Sequence, residues 1–343
     1  MTLPNGISEN VEGWLVANIP GATAPFQYTQ IAGGHSNLTF KVDDAAGHSY
    51  VLRRPPLGHR LASAHDMTRE HRIIAGLANT NVPVAPALGL CTDENVNELP
   101  FYVMSFVDGH VVREKSVAEK LLGPGGCRRA SESIVDTMAA IHNVDLVAAG
   151  LNDLGKHEDY IARQLKRWHG NIVEQRTRDL PLVDSVFEEL MKRIPAQGAA
   201  TLVHGDYRLD NCMVDSSGNV IAVLDWEICT LGDPMADLGL LMVYWTGPQD
   251  DASAWANPVN TAEGFMNRAE LAERYGKVSG RDISQLDFYV AFAFWKLACI
   301  IEGVYARYLG GALGQKDPAE LEPFRLQVEG ASQRAASILE NLR

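Results

Sequence analysis

Cysteine is scarce in this chain of 343 residues, and its five cysteines, at positions 91, 127, 212, 229 and 299, form no Cys-x-x-C pair. That excludes a disulfide scaffold and leaves no thiolate set for a structural zinc, so a reducing, cytoplasmic setting is expected. Uninterrupted apolar runs are missing as well. The two longest are broken, one by Asp237 and the other by Lys296 and Glu302, short of the ~18 residues a spanning helix needs. No basic segment leading into an apolar one stands at the amino end, so neither a secretory signal nor a membrane partner is expected. Positive charge is in deficit, with 30 Lys and Arg against 43 Asp and Glu and a net charge of −13. A nucleic-acid binder held by phosphate neutralisation is thereby disfavoured. No repeat of 20 to 50 residues recurs, which removes solenoids and propellers.

What remains is ample globular chain, 46% hydrophobic and 21% charged, able to bury a large core. Residues 26–107 read as short strands around one helix. The strands are 26–32, 38–42, 50–54, 84–90 and 101–107, and Met67, Glu70, Ile73, Ile74 and Leu77 recur at helical spacing between them. Asp43 to Gly47 reads as a hairpin turn, and Pro55-Pro56 ends a strand because proline has no ladder donor. Beyond residue 110 helical spacing prevails, over 133–142, 160–168, 182–193, 234–245, 262–275, 286–309 and 318–342. Two apolar β segments, 201–203 and 220–224, flank a polar loop and are expected to form a small hairpin set into the helices. The fold class is therefore α+β, with a β-rich part over residues 1–107 and a larger, mainly helical part over residues 108–343.

The polar loop carries the chemistry. In His204-Gly205-Asp206-Tyr207-Arg208-Leu209-Asp210-Asn211 an Asp and an Asn are separated by four residues, and Asp225 follows at the end of the next strand. This spacing matches a phosphoryl-transfer loop, in which the loop Asp receives the proton of an attacking hydroxyl while Asn and the second Asp hold Mg2+ against nucleotide phosphates. Mg2+ prefers oxygen ligands and one or two carboxylates, which Asn211 and Asp225 supply. Asp206 stays uncommitted to the metal and keeps its basicity. Arg208 stands where it can offset charge on the transferred group. The plainer alternative, an acidic surface loop, does not account for the flanking strands or the third acid. His204 is expected to hold the loop, Asp233 to cap the helix that follows it, and Asp237 to brace the loop from that helix.

On the nucleotide side, Gly33-Gly34-His35-Ser36-Asn37 lies between two strands, where glycines bring backbone amides close to phosphate oxygens. Arg53 on the next strand and Glu70 on the helix form the cation and carboxylate pair that positions phosphates. Arg54 points to the opposite face. Met104, Ser105 and Phe106 sit where the β-rich part passes into the helical part, a location suited to an adenine edge.

Together, these motifs resemble the aminoglycoside phosphotransferase (choline kinase-like) family over residues 26 to 312. The branch most resembled is the kinase-like domains found fused to acyl-CoA dehydrogenases in animals and standing alone in many bacteria. The resemblance implies a bilobal protein-kinase-like fold, ATP and Mg2+ as cofactors, and γ-phosphate transfer to a small-molecule hydroxyl. Carried over to these positions, Asp206 is the base, Asn211 and Asp225 bind metal, and Arg53 with Glu70 positions phosphates. Arg53 departs from the usual Lys, which also keeps open a nucleotide-binding pseudokinase with a regulatory role. No Ala-Pro-Glu follows Asp225, so a protein acceptor is disfavoured. Lys296, Ile300, Gly303 and Arg307 fall on one helix face, either as a solvated stripe or as an anchor for an anionic acceptor. The branch points to a hydroxyacyl-coenzyme A or hydroxy acid, and the family name to an aminoglycoside.

Overall fold

The computed structural model describes residues 4, 6–31, 37–56, 66–247, 258–312, 314 and 316–342. Helix α1 (Asn10–Asn18) precedes the strands β1 (Gln27–Gln30), β2 (Leu38–Asp43) and β3 (Ser49–Arg54). After α2 (Met67–Leu77) come β4 (Ala87–Cys91) and β5 (Phe101–Ser105), and the five strands form one antiparallel sheet in the order β1-β2-β3-β5-β4. The turn read at Asp43 to Gly47 is closed by Asp44, whose carboxylate accepts the amides of Ala46 at 2.9 Å and His48 at 2.8 Å. Phe40 and Val42 alternate inward with Leu52, Phe101 and Val103, and Val11 and Leu15 of α1 complete that core. Arg54 projects away from Arg53 as expected, but it is buried, with its guanidinium on the Gly6 and Pro55 carbonyls. The apolar face of α2 turns instead to the larger core of the helical part, through Met67, Ile73, Ile74 and Leu77.

The rest of the chain alternates helices with short strands: β6 (His110–Val111), α3 (Lys115–Leu121), α4 (Gly123–His142), α5 (Tyr160–Gln175) and α6 (Pro181–Lys192). Then come β7 (Thr201–Val203), β8 (Cys212–Val214), β9 (Val220–Val223) and β10 (Thr230–Gly232), followed by α7 (Met235–Tyr244), α8 (Arg268–Ser279), α9 (Leu286–Leu309) and α10 (Pro318–Asn341). The single hairpin expected over 201–224 is not formed. β7 pairs with β10, and β9 pairs with β8, which in turn pairs with β6. The polar loop itself supplies β8 immediately after a turn of 3-10 helix at Leu209–Asn211, and that nearer strand takes the pairing that β7 was expected to take. The helix read over 262–275 begins later, at Arg268, where Asn267 and Glu270 close a reciprocal cap.

At the centre, α7 lies against α9. Gly239 permits this approach, because a Cβ there would stand 2.6 Å from the Tyr289 carbonyl oxygen. By length and composition α9 is apolar enough to cross a membrane, yet 67% of its most apolar stretch is buried inside the protein. Glu302, which interrupts that run, is fully buried and ion-paired with Arg178 at 2.7 Å.

Candidate functional site

The loop after β7 is held from beneath by the first turn of α7. Asp237 is buried there and accepts the amides of His204 at 2.7 Å and Gly205 at 2.8 Å. Its burial would raise its pKa, but the hydrogen bonds it accepts from His142 and from the Gly205 amide hold it below the ordinary carboxylate range. His142 is itself driven down by burial. As a neutral ring it donates from Nε2 to Asp237 over 3.3 Å and accepts at Nδ1 from the Tyr275 hydroxyl over 2.7 Å. His204 also holds the loop as expected: Nε2 donates to the Leu224 carbonyl at 2.8 Å, and Nδ1 accepts the Asp206 amide at 3.3 Å. This ring therefore ties the loop to the strand end that carries Asp225. Between them Gly205 has φ +87°, the left-handed region open to glycine.

Asp206, Arg208 and Asn211 come together on this support. The Asn211 amide nitrogen donates to the Asp206 carbonyl at 2.8 Å and to its carboxylate at 3.0 Å. Arg208 lies 3.5 Å from the same carboxylate and 3.2 Å from that of Asp210, with its guanidinium 5.0 Å from the centre of the Tyr244 ring. Burial, reinforced by the Asp206 charge, pushes the Tyr244 phenol up to about 12. Asp233 caps the start of α7 through the Met235 amide at 3.1 Å and accepts the Tyr289 hydroxyl at 2.7 Å.

The second group gathers around Arg53. Its Nε stands 3.0 Å from Glu70, and its Nη2 stands 2.8 Å from Asp225 and 3.4 Å from Glu227. Asn37 spans the same acids, donating to Glu70 at 2.9 Å and to Glu227 at 3.1 Å. The Tyr102 hydroxyl adds a bond to Glu70 at 3.0 Å. Three carboxylates share one guanidinium. Burial, together with Glu227 and Asp225, outweighs Arg53 and Tyr102 and pushes Glu70 up to about 7. Asp225 has φ +62°, a strained conformation for a residue with a Cβ. Trp226 anchors the turn next to it, fully packed, with its indole N–H on the Val223 carbonyl at 3.0 Å.

Arg53, Glu70, Asn37 and Asp225 thus converge, as do Asp206, Arg208 and Asn211. Gly33, Gly34, His35 and Ser36 lie outside the described residues. Met104 and Ser105 end β5 and Phe106 follows it; the amide of Ser105 donates to the Pro86 carbonyl at 2.9 Å and that of Phe106 to the Ser49 carbonyl at 3.3 Å. Lys296 and Arg307 separate. Lys296 Nζ reaches the Gly205 carbonyl at 3.5 Å, whereas Arg307 is exposed and bonds the Gly303 carbonyl of its own helix. Three members were not singled out from sequence: Glu227, Tyr102 and His142. Glu227 stands two residues after Asp225, and Tyr102 is the cross-strand partner of Arg53. Among the described residues no three His, Cys, Asp or Glu side chains form a metal cage.

Residues 27–288 match the model of the phosphotransferase enzyme family. Acyl-CoA dehydrogenase family member 10 of Mus musculus is 35% identical over 294 residues, covering 84% of this chain and 27% of that protein. Acyl-CoA dehydrogenase family member 11 of Mus musculus is 34% identical over 322 residues, covering 90% of this chain and 40% of that protein. The chain therefore spans well under half the length of these curated relatives. The crystal structure of a candidate aminoglycoside phosphotransferase from Ralstonia eutropha superposes with a TM-score of 0.84 at 32% identity over 98% of both chains. Aminoglycoside phosphotransferase APH(4)-Ia, in complex with AMP-PNP and hygromycin B, shares the fold at a TM-score of 0.60 and 17% identity, over 97% of this chain and 98% of its own. The fold is protein-kinase-like, with the antiparallel sheet at the amino end and the larger helical part after it. On this match over most of its length, the chain belongs to the phosphotransferase enzyme family.

Proposed function

We propose that this chain is an ATP- and Mg2+-dependent small-molecule kinase whose lobes are residues 1–107 and 108–343. The observation that carries the reading is the Asp206 carboxylate held by Asn211 on one braced loop, with the Leu224 amide on the Asn211 carbonyl at 2.8 Å tying that loop to the strand end of Asp225, where Arg53 joins Asp225 to Glu70. Family membership supports a small-molecule phosphotransferase. The donor set fits Mg2+. The Asn211 amide nitrogen is committed to Asp206, so its oxygen is the atom left to ligate, and Asp225 adds a carboxylate in an oxygen-only, open set. When bound, the metal neutralises phosphate charge.

Asp206 is the group that accepts the hydroxyl proton of the acceptor, and the hydrogen bond from Asn211 fixes its carboxylate. Arg208, beside Asp206, faces the charge of the transferred group. Arg53 exchanges its contact with Asp225 for the α and β phosphates while keeping Glu70. For the acceptor, a hydroxyacyl-coenzyme A or hydroxy acid is supported by the relatives named as acyl-CoA dehydrogenases and by the cation next to Asp206. An aminoglycoside is the second reading, favoured by the Ralstonia neighbour. A panel of hydroxy acids, hydroxyacyl-coenzyme A esters and aminoglycosides incubated with Mg·ATP separates them by phosphorus NMR and mass. The expected product is a phosphomonoester of a hydroxylated anion. A phosphorylated aminoglycoside would favour the second reading, and nucleotide binding without any product would leave a pseudokinase.

A further inference from the structure

Lys296 is a half-buried ammonium, flanked on its helix by buried residues, that the reaction as described does not use. It projects from α9 toward the catalytic loop, with Nζ 3.5 Å from the Gly205 carbonyl oxygen and 5.9 Å from the centre of the Trp168 ring. Beside it lies a cavity of about 10 Å³ bounded by Tyr160, Gly205, Asp237 and Phe292, a volume that suits one water with polar partners. The peptide between Gly205 and Asp206 is thereby held at both ends. Its carbonyl faces Lys296, and its amide donates to His204 Nδ1 at 3.3 Å. The direction in which the Asp206 side chain leaves the backbone depends on that peptide plane.

We propose that Lys296 is a positioning residue, which aims the Asp206 carboxylate by holding the Gly205 carbonyl from the helix behind it. This rests on the kinase reading above. A lysine is a costly way to fill an apolar site, because burial lowers its proton affinity and the nearby Arg167 does the same. Asp237 and Asp206 act in the opposite direction, so the ammonium is matched to the loop's own Asp206 and to the Asp237 of α7 beneath it. A methionine would fill the same volume with no desolvation cost. The charge therefore serves the loop and not the packing, and Asp237 and Lys296 grip Gly205 from its two sides.

The test compares the full chain with Lys296→Met and Lys296→Arg. The probes are release of phosphate from Mg·ATP with water as acceptor, transfer to any acceptor the panel returns, and binding of Mg·AMP-PNP by calorimetry. A misaimed base is expected to lower kcat roughly 10- to 100-fold in Lys296→Met, with the KM for ATP and the affinity for AMP-PNP unchanged within about twofold. Lys296→Arg, which keeps the charge and the donor, should recover most of that loss. Lys296→Gln, which keeps a donor without charge, serves if the Met variant does not fold, and is expected to fall between the two. Wild-type turnover in Lys296→Met, or in Lys296→Gln where that variant stands in, would overturn the inference. So would a parallel loss of kcat, nucleotide affinity and melting temperature, and so would an Arg variant no better than Met. If the wild-type chain binds AMP-PNP but transfers phosphate to no acceptor, water included, the kinase reading fails and takes this inference with it. If the wild type turns over and the Met variant matches it, the positioning role of Lys296 fails alone.

Discussion

Replacing Asp237 by Asn tests whether the catalytic loop is suspended from α7. The buried carboxylate accepts the His204 amide at 2.7 Å and the Gly205 amide at 2.8 Å, one on each oxygen. An asparagine keeps one acceptor and turns an NH2 group toward the other amide, so one donor is stranded. A hydrogen bond to a charged group contributes about 2 kcal/mol and an orphaned buried donor costs about 2 kcal/mol more, giving about 4 kcal/mol in all. At about 2 °C per kcal/mol for a chain of this size, the melting temperature falls by about 8 °C. Trp226 lies 4.9 Å from the His204 ring, so tryptophan fluorescence during urea denaturation reports on this region. An Asp237→Asn chain that unfolds within about 1 kcal/mol of wild type would mean that the loop is held by something other than this carboxylate.

Glu70 makes stability depend on pH. Its folded pKa of about 7 stands above the ordinary 4.5, so the ionised form is disfavoured in the fold. That penalty is absent below the unfolded value, grows as the pH rises from 4.5 to about 7, and levels off at about 3 kcal/mol. Glu70→Gln should remove this component, so that its melting temperature drops less than that of wild type between about pH 5 and about pH 8. Equal drops would contradict it. Removing the shared cation with Arg53→Met leaves Glu70, Asp225 and Glu227 to repel one another and the incoming phosphates. The affinity for Mg·AMP-PNP by calorimetry should fall at least about tenfold, or about 1.4 kcal/mol, and unchanged affinity would count against Arg53 as the phosphate-side cation.

Much of this site could be read from the sequence because its signals are local. The Asp206 to Asn211 spacing, Asp225 at a strand end and the Asp233-Pro234 helix start each lie within a few residues. The strand and helix periods placed β2, β3, β7, α2 and α9 within a residue or so. Pairing was not legible, because β7 and β10 are three residues each and nothing in such short apolar segments names a partner. Strand β8 was hidden because its three residues follow directly on the loop, with no break between them. Contacts such as Asn37 to Glu227 join residues 190 apart, and only the closed fold creates them. Lys296 and Arg307 share a helical period, but α9 is packed in the core on either side of Lys296 and has left it by Arg307. Periodicity predicts a face and not what covers it.

The role proposed for Asp206 is to receive the acceptor proton on a loop braced by Asp237 and His204. Its most direct test is single-turnover transfer of the γ-phosphate from Mg·ATP to the acceptor that the panel returns, for wild type and Asp206→Ala, with nucleotide affinity measured in parallel. The expected rate is lower by roughly 10²–10⁴-fold, at nearly unchanged affinity for Mg·AMP-PNP. Undiminished transfer by Asp206→Ala would contradict it.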